Sequence, residues 1–170
     1  MFIKPIHVQK GVFLRYAVLN QSNSTEEIVM NRTASAVWKG TIKDGAGAIS
    51  TQSGVLKDTQ YSFKTRFADG IGTNPEELIG AAHAGCFSMA LSLFLGNHGL
   101  TPESIHTTAT VSLEQKDGGF SITKVHLDVH AKVPGTTAED FEKIAEEAKA
   151  NCPVSRVLNA EITLSAQLDA

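Results

Sequence analysis

Two cysteines, Cys86 and Cys152, sit in different contexts of a 170-residue chain, and Arg66 precedes the first of them by a short stretch. A thiol reacts as its thiolate, and a nearby cation or helix dipole is what lowers its pKa enough to form one. Arg66 is the best-placed cation, and Glu76 is placed to pair with it and orient its guanidinium fork. Each residue also has a plainer reading. Cys86 fits as a small hydrophobe in a packed helix, Arg66 as a solvated strand residue, and Glu76 with Glu77 as carboxylates favoured at a helix start. Cys152, between Asn151 and Pro153, suits either helix-end packing or a thiol that moves to meet another. His83, Cys86 and Cys152 lack the paired CxxC or HxxxH spacing of a metal centre. His106, His126 and His130 fall on strand faces and read as surface residues, and Gly70 to Gly72 is too short for a phosphate loop.

The stretch that must position Cys86 runs from Gly72 to Gly99. Thr73 and Asn74 can accept from the free amides of a helix start, Pro75 suits its first turn, and Glu76 and Glu77 suit its positive end. From Leu78 to Leu95 the residues are small or apolar on almost every side, which predicts a helix enclosed by protein or by lipid. Glu77, His83, Ser88 and Ser92 suit lipid poorly and no basic flank orients the segment, so a buried core helix is expected. If that helix is continuous, Glu76 lies about 15 Å along the axis from Cys86 and cannot touch its thiol. Either the regular helix begins later, or a second subunit brings its own residues near.

Around this helix the chain reads as strands, helix, strands, helix, strand, which favours an α+β fold with antiparallel sheets. A hairpin is expected over 33–51, turning at Asp44, Gly45 and Gly47. Tyr61, Phe63, Thr65 and Phe67 alternate with Ser62, Lys64 and Arg66 as in a strand. A long hairpin follows, Ile105 to Leu113 and back through Val133, where the apolar phase switches between Ile122 and Val125 and predicts a bulge near Thr123 and Lys124. Thr136 or Thr137 with Glu139 or Asp140 caps an amphipathic helix that stops at Asn151 to Pro153. A short turn is expected over 154–158, and Ala160 to Leu168 alternates as a strand.

The length fits one domain with a real core, and residues 1–29 read as an N-terminal extension to a domain spanning 30–170, with Met30 a conceivable alternative start. A formal net charge of −3 argues against a general nucleic-acid or anionic-membrane surface. The apolar run Val12 to Leu19 is interrupted by Arg15 and does not read as a secretion signal, so a cytoplasmic protein is expected. In that reducing compartment the cysteines are expected to be reactive, metal-bound or inert rather than a structural staple.

The segments YSFKTRF, GTNPEELIGAAHAGCFSMALS, VSLEQKDGGFSITKVHLDV and NCPVSRVLNAEITLSAQL resemble the OsmC/Ohr family of thiol-dependent peroxidases, over roughly Arg32 to the C-terminus. The resemblance implies an intertwined homodimer whose antiparallel sheets wrap two central helices, with active sites at the subunit interface. It further implies Cys86 as peroxidatic cysteine, Cys152 as resolving cysteine, Arg66 as catalytic arginine and Glu76 as its orienting carboxylate. On this reading a hydroperoxide oxidises Cys86 to a sulfenic acid, Cys152 closes a disulfide, and an external lipoyl-type dithiol reduces it, without bound metal or flavin. Phe87, Met89, Phe94 and the Tyr61 to Phe67 aromatics are expected to line an apolar pocket that favours organic hydroperoxides, in defence against oxidative or osmotic stress. A carrier of small hydrophobic ligands and a redox sensor using the same cysteine pair are the alternatives.

Overall fold

A computed structural model describes residues 29–170. The piece Val12 to Leu19 and nearly all of the expected 1–29 extension lie outside the described residues.

The expected first hairpin forms from β1 (Ala34–Lys39) and β2 (Ala46–Thr51), with Asp44 and Gly45 before β2 but Gly47 inside it, paired with Trp38, rather than in the turn; β3 (Thr59–Ser62) joins them in an antiparallel sheet of order β1-β2-β3. Trp38 and Tyr61 stack across this sheet with ring centroids 5.3 Å apart. Between them Gly47 admits no side chain, because a Cβ there would lie 2.2 Å from the Tyr61 ring.

The strand expected to run on through Phe67 stops at Ser62, and Phe63–Phe67 forms a short helix, α1. A reciprocal cap drives the change. The Thr65 amide donates to Ser62 Oγ and the Ser62 amide donates to Thr65 Oγ1, at 3.3 and 2.8 Å. Helical spacing then brings Phe63 against Phe67 at 4.7 Å, and Phe67 reaches Phe120 at 5.0 Å. Arg66 therefore leaves from a helix turn rather than a strand face.

The long helix α2 (Pro75–Asn97) begins where its cap residues place it: Asn74 Oδ1 accepts from the Glu77 amide at 2.8 Å, with Pro75 in the first turn. Asn74 Nδ2 also donates to the Thr65 carbonyl at 3.0 Å, which ties α1 to the start of α2. At the other end Gly99 takes a φ of +73°, and the Leu100 amide returns to the Leu95 carbonyl at 2.9 Å.

β4 (Ser104–Lys116) and β5 (Gly119–Lys132) form the expected long hairpin. Ser112 pairs with Lys124 and Leu113 with Ile122, which leaves Thr123 unpaired at the predicted bulge. α3 (Ala138–Asn151) is capped by Thr137, whose side chain accepts from the Asp140 amide. The expected short turn is a single-turn helix, α4 (Pro153–Val157), and β6 (Glu161–Leu168) ends the chain. β6 pairs with β5 in parallel, so the second sheet, β4-β5-β6, is mixed rather than wholly antiparallel. The α3 and α4 crossover returns the chain to the end of the sheet where β5 began, which sets that direction.

The core lies between α2, the inner face of the second sheet and α3. Phe87, Leu91 and Leu95 meet Leu127, Val129 and Ala131 from β5, with Phe141, Ile144, Ala145 and Ala148 from α3. α2 is enclosed on this face only. Gly80, His83, Phe87, Leu91 and Leu95 are buried, while Ala81, Ala82 and Gly85 are exposed, with Met89 76% and Leu93 62% exposed. The helix is long and apolar enough to cross a membrane by length and composition, yet it packs one side on its own sheet. The expected all-round enclosure is thus absent within one chain, because β1-β2-β3 leaves the other side of α2 open.

Candidate active site

The sulfur atoms of Cys86 and Cys152 lie 3.3 Å apart, with the Cys152 thiol donating to Cys86. Cys86 sits on α2, where the exposed and buried faces meet, and is half-buried. Cys152 is fully buried, ending α3 and starting α4. Pro153 enforces that junction, since it cannot donate to extend α3 and its fixed φ suits the first turn of a new helix. The expected mobile thiol is therefore already docked against its partner. Both cysteines are free, and a disulfide needs the sulfurs to approach by only about 1.3 Å more.

The second pair forms at the far end of α2. Arg66 Nη2 donates to Glu76 Oε1 at 2.6 Å, and Arg66 Nε lies 3.1 Å from both carboxylate oxygens. This charge-assisted fork fixes the plane of the guanidinium. Its Cζ also lies 5.4 Å from the Phe67 ring centroid. Beside it opens a cleft of about 280 Å³ whose walls are Trp38, Ile42, Tyr61, Phe63, Phe67 and Pro75. The cleft is mostly apolar, with the guanidinium and Ser62 as polar parts of its lining. Of the expected pocket residues, Phe87 belongs to the core, Phe94 packs partly against it, and Met89 is on the open face of α2.

Within one chain the two pairs do not meet. α2 is a regular helix from Pro75 onward, so Glu76 stands about 15 Å along its axis from Cys86. A later helix start, one of the two ways around that distance, is excluded. The electrostatics agree with the separation. Burial pushes the Cys86 thiol above its ordinary pKa, the Val154 backbone N–H donating to the sulfur pulls it down, and the neighbouring Cys152 pushes it up again. Among the described residues of one chain, no cation acts on this thiol.

His83, one turn before Cys86, is fully buried, and its Nε2 lies 2.8 Å from Ser155 Oγ. The sequence marks this histidine as ill-suited to lipid and as a weak candidate metal ligand, and gives no sign of Ser155 as its partner. Among the described residues no group of three or more His, Cys, Asp or Glu is disposed to hold a metal ion. His106 is exposed as expected, His126 is half-buried and bonded to Thr163, and His130 has Asp128 and Asp169 within 3.8 and 3.5 Å.

Residues 68–167 match the OsmC family, described as OsmC-like protein. The chain is 57% identical over 141 residues to peroxiredoxin OsmC of Escherichia coli, across 83% of this chain and 99% of that protein. It is 35% identical to organic hydroperoxide resistance protein-like 1 of Staphylococcus epidermidis, across 60% of this chain and 73% of the relative. Among solved structures, an organic hydroperoxide resistance protein from Elizabethkingia anophelis superposes with a TM-score of 0.63 at 26% identity, over 84% of this chain and 100% of its own. OhrB of Bacillus subtilis does so with a TM-score of 0.61 at 26% identity, over 79% and 98%. A thiol pair set against a long helix, an arginine fork at that helix's start and these likenesses agree, and the chain belongs to the OsmC family.

Proposed function

We propose that the chain is a cysteine-based peroxidase that reduces organic hydroperoxides to alcohols. The observation that carries this reading is the contact between the Cys86 and Cys152 thiols at 3.3 Å, in a chain so similar to a peroxiredoxin. The Cys86 thiolate attacks the terminal oxygen of ROOH, the O–O bond breaks, and the alkoxide leaves with a proton as ROH. Cys86 is then a sulfenic acid. Cys152 attacks its sulfur, expelling water and closing the disulfide, which an external dithiol of the lipoyl class reduces back to two thiols while itself becoming a disulfide. The reaction needs no prosthetic group. The apolar cleft beside Arg66 suits the alkyl or aryl group of an organic hydroperoxide better than hydrogen peroxide. Residues 30–170 form the working domain, in the cytoplasm, where a dithiol pool can recycle it.

The working form is a homodimer. A second copy would cover the open apolar face of α2 and would bring the Arg66 and Glu76 end of its own α2 against Cys86. The guanidinium then supplies the cation that this thiol lacks in one chain, and donates to the peroxide oxygens as charge develops on them.

One stoichiometric addition of cumene hydroperoxide, followed by thiol titration and peptide mass spectrometry, tests the reading. Both thiols should be lost together and a Cys86–Cys152 crosslink should appear. Retention of both thiols would leave a hydrophobic-ligand carrier as the better account. The dimer carries its own prediction. Met89 and Leu93 are exposed in one chain, so replacing both with Glu spares the core but places charge on the open face. Sedimentation should show a monomer, and peroxide turnover should fall about 10²-fold, as for loss of the guanidinium. A monomer with full turnover would overturn the shared site.

A further inference from the structure

We infer that His83 is a positioning residue for the thiol pair: its hydrogen bond to Ser155 pins α4 to α2 and so holds Cys152 in line with Cys86. The inference rests on the peroxidase reading and extends it to a residue outside the four assigned above.

α4 has two tasks at this site. Its first residue follows Cys152 directly, and its second, Val154, gives the backbone N–H that donates to Cys86. Yet α4 has little of its own to hold it in place. It is five residues long, has no side-chain cap and no fully buried residue, and Val157 is 77% exposed. Val154 packs partly against the core, but apolar packing is not directional and fixes no rotation of a single turn about its axis. Apart from the contacts made at Cys86 itself, the His83 Nε2 to Ser155 Oγ bond at 2.8 Å is the directed tie between α4 and α2 among the described residues. It falls within one turn of Cys86 on one helix and of Cys152 on the other.

The ring is suited to holding rather than to acid–base work. Nδ1 is buried and has no hydrogen-bond partner among the described residues. A neutral ring leaves a bare lone pair there at the least cost, which makes Nε2–H the donor and Ser155 Oγ the acceptor. Burial also pushes the His83 pKa below its ordinary value, so the ring stays uncharged and is not the missing cation. A ring fixed in this tautomer keeps α4 in register while Cys86 passes from thiol to sulfenic acid to disulfide. A loosened α4 would leave the sulfenic acid waiting, open to a second peroxide and hence to sulfinic acid.

The test is a single-turnover time course with cumene hydroperoxide on the full chain, quenched by alkylation and read by mass spectrometry. Disulfide closure should slow about tenfold in Ser155→Ala and in His83→Leu, with the sulfinic fraction of Cys86 rising at high peroxide. His83→Gln, whose Nε2 can take the place of the imidazole donor, should close at close to the parent rate. The double variant should be no slower than either single one, since both remove the same bond. Closure at the parent rate in Ser155→Ala, no recovery by Gln over Leu, or multiplied effects in the double variant would each overturn the assignment. Ser155→Ala leaves no sizeable cavity, so it decides the matter even if His83→Leu does not fold. A parent that consumes no peroxide overturns the peroxidase reading itself, whereas a parent that turns over beside unaffected variants overturns only this one.

Discussion

Cys86→Ser should consume no hydroperoxide above the uncatalysed background, while Cys152→Ser should consume one equivalent and then stall. The two outcomes differ because the thiols have different tasks. A serine hydroxyl at position 86 has neither the acidity nor the polarisability to attack an O–O bond, so the first step is lost outright. With Cys152 replaced, Cys86 still reaches the sulfenic acid, but its partner at 3.3 Å is gone and no internal thiol can expel water. The stalled species is trapped by dimedone as a mass increment on Cys86, and excess peroxide carries it to the sulfinic acid. Steady dithiol-driven turnover by Cys86→Ser would remove the assigned nucleophile, and unchanged turnover by Cys152→Ser would remove the resolving role.

The elements that hold these thiols were legible to different degrees, for physical reasons. The bulge at Thr123 was readable because strand side chains alternate strictly, so one extra residue must shift every later apolar position to the other phase. The start of α2 was readable from Asn74, Pro75 and two carboxylates, each matched to a known need of a helix N-terminus. Its covered side was not. A helix apolar on all sides carries no phase, and the sequence could not say that its own sheet covers Phe87 and Leu91 while Met89 stays open. α1 was misread because Phe63, Thr65 and Phe67 satisfy a period of two as well as a five-residue helix satisfies anything. The Ser62–Thr65 cap that decides between them is two hydroxyls, common in loops as well. The cysteine contact spans 66 positions and the His83–Ser155 contact 72, and no local pattern couples residues so far apart. Family resemblance supplied the first of these, and only the packing of α4 on α2 revealed the second.

Arg66→Met should lower peroxide turnover about 10²- to 10³-fold, since it removes a donor and a charge aimed at the oxygens in the transition state. Glu76→Gln should cost less, because the guanidinium stays and loses only the fork that fixes its plane. The decisive measurement combines two inactive proteins. Arg66 is held by Glu76 at one end of α2, about 15 Å along the axis from Cys86 of the same chain. In a dimer that shares its sites, a Cys86→Ser chain still offers a good Arg66 to its neighbour, and an Arg66→Met chain still offers good thiols. Unfolding and refolding the two together in equal amounts should therefore rebuild one complete site in each mixed dimer, restoring about a quarter of the parent activity by random pairing. If each chain used its own arginine, every site in the mixture would lack either the nucleophile or the cation, and no activity would return. A silent mixture, with mixed dimers confirmed by mass, would place Arg66 and Cys86 in one chain's site and would require α2 to break where it is now continuous.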